Sequence, residues 1–177
     1  MQNNKLVLKD LTAAEIFGRN FAGAAVGSWP AGRRSFCVYI DEDLAQALAN
    51  DGWNVKMSTS ENPSEPTKYF LPVDVSFKNF PPKVVLVDKH KKVILSEAAV
   101  GTVDKIQIES ADIRISPYNW TVNGKTGIKA YLETAFFVLV EDEFEEKYAD
   151  IPYDYEEASS VVGSSRRSDV PVEVYED

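Results

Sequence analysis

The stretch from Ile113 to Thr134, IRISPYNWTVNGKTGIKAYLET, decides how this chain folds. Asn123-Gly124 lies between two strand-like runs. It is a preferred dipeptide for a two-residue type I′ turn, whose central residues both need positive φ. That turn sets the register of a long hairpin. Ile113 faces Thr134, Ile115 faces Leu132, Pro117 faces Ala130 and Asn119 faces Ile128, which makes a mainly apolar face suited to a core. The opposite face pairs Arg114 with Glu133, Ser116 with Tyr131, Tyr118 with Lys129 and Trp120 with Gly127. A large ring set opposite a strand glycine covers backbone that the missing side chain leaves bare.

Outward from this hairpin the body reads as β. Phe36, Val38 and Ile40 alternate in Ser35–Ile40, and Val73, Val75 and Phe77 share a face in Lys68–Phe77. Lys83–Val87 and Val93–Leu95 flank a basic turn, Asp88-Lys89-His90-Lys91-Lys92. Ile106, Ile108, Ile113 and Ile115 keep the two-residue period, with an interruption near Glu109-Ser110, and the longest strand is Ile128 to Val140. Short, regularly spaced strands with turn signals predict a small barrel or a sandwich. One helix starts at Asp41, a capping residue, carries Leu44, Ala45 and Leu48 on one stripe, and stops at Asn50-Asp51-Gly52. A shorter helix is predicted over Glu141–Tyr148, where Glu141, Asp142 and Glu143 form a solvated, acid-rich N-terminus.

The charge is uneven. The chain of 177 residues has a formal net charge of -9. Residues 141–177 hold 13 acids and 3 bases, a net of -10, which leaves +1 on residues 1–140. The expected organisation is therefore an ordered domain over 1–150 and a flexible acidic tail over 151–177. Such tails act as solubilisers or as interaction segments.

Several function classes lose support. No apolar run approaches the ~18 residues of a membrane span, and the N-terminal residues lack a signal-peptide core, so a cytoplasmic protein is expected. One cysteine and one histidine give neither a disulfide framework nor a Cys/His metal site. There is no P-loop, GxSxG, HExxH or dinucleotide glycine pattern, so no cofactor, metal or catalytic role is expected. Cys37 falls inside a strand pattern and reads as a small packed residue. His90 reads as a surface residue of a lysine-rich turn.

The non-core face of the hairpin is unusual for a solvated sheet. Tyr118, Trp120 and Tyr131 alternate with Arg114, Lys125 and Lys129. Rings give stacking platforms for bases and cations hold phosphates, the combination by which single strands are bound without sequence readout. Two further basic-aromatic neighbourhoods add candidates. Arg33 and Arg34 follow a loop containing Trp29, and Trp53 precedes Lys56. The competing reading packs the same rings against neighbouring structure, since Tyr and Trp are common at half-buried strand positions.

Three segments carry a resemblance to a known family: Arg34-Ser35-Phe36-Cys37-Val38-Tyr39-Ile40-Asp41, Asp51-Gly52-Trp53-Asn54-Val55-Lys56 and Gly124-Lys125-Thr126-Gly127-Ile128-Lys129-Ala130-Tyr131-Leu132. Together they resemble bacteriophage single-stranded DNA-binding proteins, over about residues 16–150, with the tail alike in composition. The resemblance implies an OB-fold core with one or two short helices. It also implies single-stranded DNA as partner, protection of DNA in phage replication and recombination in the host cytoplasm, and an acidic tail that contacts replication proteins. Family tails often end in an aromatic residue, whereas Tyr175 here is third from last. Oligomeric state is left open, a homodimer included. Two other classes stand beside this one: a β-sandwich virion or assembly protein whose rings make protein contacts, and a hydrolase using scattered carboxylates such as Asp74 or Asp112.

Overall fold

The computed structural model describes residues 4–59, 61–78 and 80–155. The chain divides into two units at Glu141/Asp142. In the first, the strands are β1 (Leu6–Leu11), β2 (Ile16–Asn20), β3 (Arg34–Ile40), β4 (Lys56–Ser58), β5 (Lys68–Val75), β6 (Lys83–Val87), β7 (Lys92–Leu95), β8 (Ile108–Val122) and β9 (Lys125–Leu139). Helix α1 (Glu42–Asp51) follows β3, and two 3-10 turns span Ala13–Glu15 and Val100–Asp104.

The strands form one sheet ordered β1-β8-β9-β5-β3-β2. β2, β3 and β5 pair antiparallel in succession, β5 meets β9 in parallel at Asp74↔Tyr131, and β9 returns antiparallel to β8. Counting these five along the chain, their spatial order is 1-2-3-5-4, the Greek key of an OB-fold. The sheet stays open, because no ladder joins β8 to β2 among the described residues. The segment leading into β8 bridges part of that gap. Arg19 of β2 donates to the carbonyls of Val103 (2.7 Å) and Ile106 (3.1 Å). The Asp104 carboxylate accepts from the backbone N–H of Phe21 (2.7 Å) and of Ala22 (3.0 Å). One edge of β5 is shared by β4 at Lys68–Phe70 and β9 at Asp74; the outer edge of β9 passes from β5 to β6 at Thr134.

The alternation expected from sequence sorts the core. Phe36, Val38, Leu71, Val73, Ile113, Ile115, Ile128, Leu132, Ala135 and Phe137 are buried on the inner face. Phe21 enters from the β2–β3 loop, stacks on Phe36 at 5.2 Å and meets Phe137 edge-on at 5.9 Å. β5 ends at Val75, so Phe77 lies beyond the strand, under the Arg34 guanidinium. α1 forms as its sequence dictates. The Asp41 side chain accepts from the Leu44 N–H at 2.8 Å, Ala45 and Leu48 are buried, and the helix ends at Gly52.

The hairpin turn has φ of 52° at Asn123 and 77° at Gly124, as a type I′ turn requires. The expected pairs hold from Val122↔Lys125 to Ile115↔Leu132. There the register shifts by one residue, so Arg114 faces Thr134 and Ile113 faces Ala135 rather than Glu133 and Thr134. Glu133 is the extra residue. Its carboxylate takes Lys5 Nζ at 2.6 Å, Ser116 Oγ at 2.7 Å and an Arg114 nitrogen at 3.5 Å. The bulge turns Ala135 and Phe137 inward while Arg114 keeps its outward place.

These partners, Lys5 foremost, hold the Glu133 carboxyl below its ordinary value. A depressed folded value stabilises the fold above the ordinary carboxylate range, and that contribution is lost as pH falls through the folded value. Urea unfolding at neutral and acid pH is thus expected to show a smaller acid loss for Glu133→Gln than for the natural chain.

The second unit contains α2 (Glu143–Lys147), shorter than the expected Glu141–Tyr148. Asp142 caps it, accepting from the Phe144 N–H at 2.9 Å. The Tyr153 hydroxyl donates to Glu145 within the same unit. The acidic tail expected over 151–177 lies outside the described residues from position 156 onward. Among the described residues no helix is long and apolar enough to cross a membrane.

Candidate nucleic-acid interface

A single row crosses the outer face of the sheet: Ser35 of β3, Asp74 of β5, Tyr131 of β9 and Ser116 of β8 are consecutive partners. Tyr118, two residues from Ser116, meets Tyr131 edge-to-face at 5.8 Å and is 56% exposed. Lys129, two residues from Tyr131, lies 5.6 Å from the Tyr131 ring centre and donates to Asp74 Oδ2 at 2.8 Å. That hydrogen bond raises the Lys129 ammonium above its ordinary value, so it stays cationic throughout the neutral range. Arg33 reaches Asp74 Oδ1 at 3.2 Å from the other side. Its guanidinium also sits 6.0 Å from the Trp29 ring.

Trp29 is held out by local chemistry. Val26 and Trp29 exchange both backbone hydrogen bonds (3.1 and 2.8 Å) across Gly27-Ser28, which leaves the indole 65% exposed at the tip of the β2–β3 loop. The β8–β9 hairpin forms a second projection. Beyond Pro117 its residues are exposed, except where Gly127, Ile128 and Ala130 are buried. Trp120 lies flat against Gly127, where an added Cβ would stand 2.6 Å from the ring. Arg114 and Lys125 are exposed on this hairpin. A further aromatic group, Phe17, Tyr39 and Phe70, occupies the same face toward β2. There Lys68 covers Tyr39 at 5.2 Å, and Lys56 pairs with Phe70 in the β4–β5 ladder.

The structure thus brings together Arg33, Arg114, Tyr118, Trp120, Lys125, Lys129 and Tyr131, with Lys56 farther along the same face. Two sequence candidates lie elsewhere. Trp53 is a core residue, 6% exposed, because the end of α1 docks on β9: Ile128 N–H donates to Gly52 O at 2.8 Å. An indole so enclosed offers no face to a base. Arg34 alternates onto the inner side of β3, where it donates to Phe21 O at 2.8 Å and pairs with Glu97 at 3.3 Å. Neither Trp29 nor Asp74 is among the nucleic-acid-binding candidates read from the sequence, where Asp74 stands only as a carboxylate of the hydrolase reading. The signal for Trp29 is Gly27-Ser28 flanked by apolar residues. That for Asp74 is a lone acid between Val73 and Val75 in a strand interior. Cys37 lies on β3, and burial raises its thiol with partial offset from Lys56, the opposite of an activated nucleophile.

Rings and cations thus interleave on the outer face of an OB-fold, between two projecting loops. The family model described as "Putative phage ssDNA-binding domain" matches residues 2–176, and the chain belongs to that family. No curated protein matches the sequence. Among solved structures the chain is similar to the single-stranded DNA-binding protein of bacteriophage Enc34 in complex with ssDNA, at 10% identity and TM-score 0.49, covering 78% of this chain and 88% of that one. It is also similar to gp2.5, a single-stranded DNA-binding protein encoded by bacteriophage T7, at 12% identity and TM-score 0.34, covering 88% and 98%.

Proposed function

We propose that the chain holds single-stranded DNA across the outer face of β3, β5, β9 and β8, with bases on Tyr131, Tyr118, the projecting Trp29 indole and the open face of Trp120. Phosphates lie against Arg33, Lys129, Arg114 and Lys125, and Lys56 extends the path. The observation that carries this reading is the Tyr118–Tyr131 ring pair set beside Lys129 and Arg33. Every base has a π-face, so stacking is tolerant of sequence, at about 1–3 kcal/mol per base. A duplex keeps its bases stacked on one another, so this face selects unpaired DNA. The role that follows is coating and protection of single strands during phage replication and recombination.

Titration with oligo(dT) and a matched duplex, read by tryptophan fluorescence at several salt concentrations, tests this. The expected result is strong preference for the single strand with a steep salt dependence, about 0.7 in log–log slope per phosphate contact. Equal affinity for the duplex overturns it.

The acidic segment 151–177 is assigned a competing and recruiting role: it occupies the cationic face at low salt and, displaced by DNA, becomes available to replication proteins. Deleting 151–177 removes seven acids and two arginines. The truncated chain is expected to bind oligo(dT) more tightly at low salt, with the advantage shrinking as screening rises. Equal affinities at all salt concentrations leave the segment no competing role.

A further inference from the structure

Asp74 is the buried charged residue among those described, 9% exposed, and it sits in the middle of a face assigned to a polyanion. Nothing in the inner core needs it there, since its neighbours Val73 and Val75 supply the packing. Its two oxygens are divided between two cations, Oδ1 to Arg33 at 3.2 Å and Oδ2 to Lys129 at 2.8 Å. The strand register explains the arrangement. Asp74 pairs with Ser35 on one side and Tyr131 on the other, and each cation stands two residues from one of those partners. A phosphodiester presents related chemistry, one negative charge shared over two oxygens.

We propose that Asp74 is an internal stand-in for a DNA phosphate: it pre-orders Arg33 and Lys129 and then competes with the incoming strand for them, which limits affinity and lets bound DNA be released. This rests on the outer face being the DNA interface. Competition outweighs ordering because each cation has a second anchor, Arg33 against Trp29 at 6.0 Å and Lys129 against Tyr131 at 5.6 Å. Neither contact involves the carboxylate. An asparagine at this position keeps the shape and one oxygen acceptor, enough for one of the two cations, while its amide NH2 cannot accept from the other and the like charge facing the phosphate disappears.

The test uses the full chain and its variants Asp74→Asn, Lys129→Ala, the double variant of these two, and Tyr131→Ala, each titrated with oligo(dT) from low to moderate KCl. Asp74→Asn is expected to bind roughly 3–10-fold more tightly at low salt, with a slope steeper by about 0.7 for each phosphate contact freed. The gain should shrink in the Lys129→Ala background, as expected of residues sharing one network. Affinity equal to or weaker than that of the natural chain overturns the proposal. If Lys129→Ala and Tyr131→Ala each weaken binding while Asp74→Asn fails to tighten it, the interface stands and only the competing role falls. If neither weakens binding, the interface reading itself falls and the proposal with it. Should Asp74→Asn fail to fold, the Lys129 side-chain ¹⁵N resonance of the natural chain decides. It shifts at saturation with oligo(dT) if Lys129 exchanges carboxylate for phosphate, and an unmoved resonance contradicts the exchange.

Discussion

Replacing Tyr118 and Tyr131 together by alanine is expected to weaken oligo(dT) binding by about 2–6 kcal/mol, the worth of two base stacks. The loss falls on binding rather than on folding. Tyr118 is more than half exposed, and Tyr131 points away from the core lined by Ala130 and Leu132. The two rings touch edge-to-face, so the single variants are coupled: removing Tyr118 also unbraces Tyr131. The sum of the single losses is therefore expected to differ from that of the double variant. Fluorescence titration gives the affinities, and circular dichroism melting verifies the fold. A double variant within threefold of the natural affinity contradicts the stacking role.

The second large effect is the reverse case. Trp53→Ala is expected to cost about 3–5 kcal/mol of stability, the range for removing a large aromatic side chain from a packed interior. Trp53 follows the last turn of α1, donates its backbone N–H to Leu48 O at 3.0 Å, and bridges to Ile128 of β9. Its loss opens a cavity where helix and sheet meet. Urea unfolding measures the effect, and the folded fraction is expected to retain the natural affinity for oligo(dT). A variant of natural stability and reduced affinity reverses this assignment.

The contrast between these residues marks what was legible in the sequence. Tyr118, Trp120 and Tyr131 were placed through one local signal, Asn123-Gly124, which fixes the register of β8 against β9. α1 was equally local, written in Asp41 and Gly52. Trp53 resembled the other candidates in composition, an aromatic residue near a lysine. Its burial comes from a contact between the end of α1 and β9, far apart along the chain, and no periodicity records it. Arg34 differed from Arg33 only by strand parity: one residue turns a guanidinium from the outer face to the inner side.

β1 and β2 escaped for another reason. β1 buries Leu11 and exposes Val7, Lys9 and Asp10, and Asp10 takes a positive φ of 55° that breaks the alternation. β2 buries only Ile16 and carries Gly18 at its centre. Edge strands of this kind owe their pairing to their neighbours more than to their own pattern. The bulge at Glu133 was hidden likewise, because it is fixed by Lys5, just before β1, and by Arg114 of β8. The Asp74 bridge needs β3, β5 and β9 side by side, a non-local arrangement in which a lone acid in a strand gains two cations.

The central claim is that single-stranded DNA lies on the outer face between the β2–β3 loop and the β8–β9 hairpin. Isotope-edited NMR of the labelled chain, with and without unlabelled oligo(dT), tests it most directly. The account predicts that the largest shifts fall on the Tyr118 and Tyr131 rings, the Trp29 and Trp120 indole N–H groups, and the side chains of Lys129 and Arg33. Shifts confined to the β6–β7 hairpin around Lys89–Lys92, with these groups unmoved at saturation, contradict it.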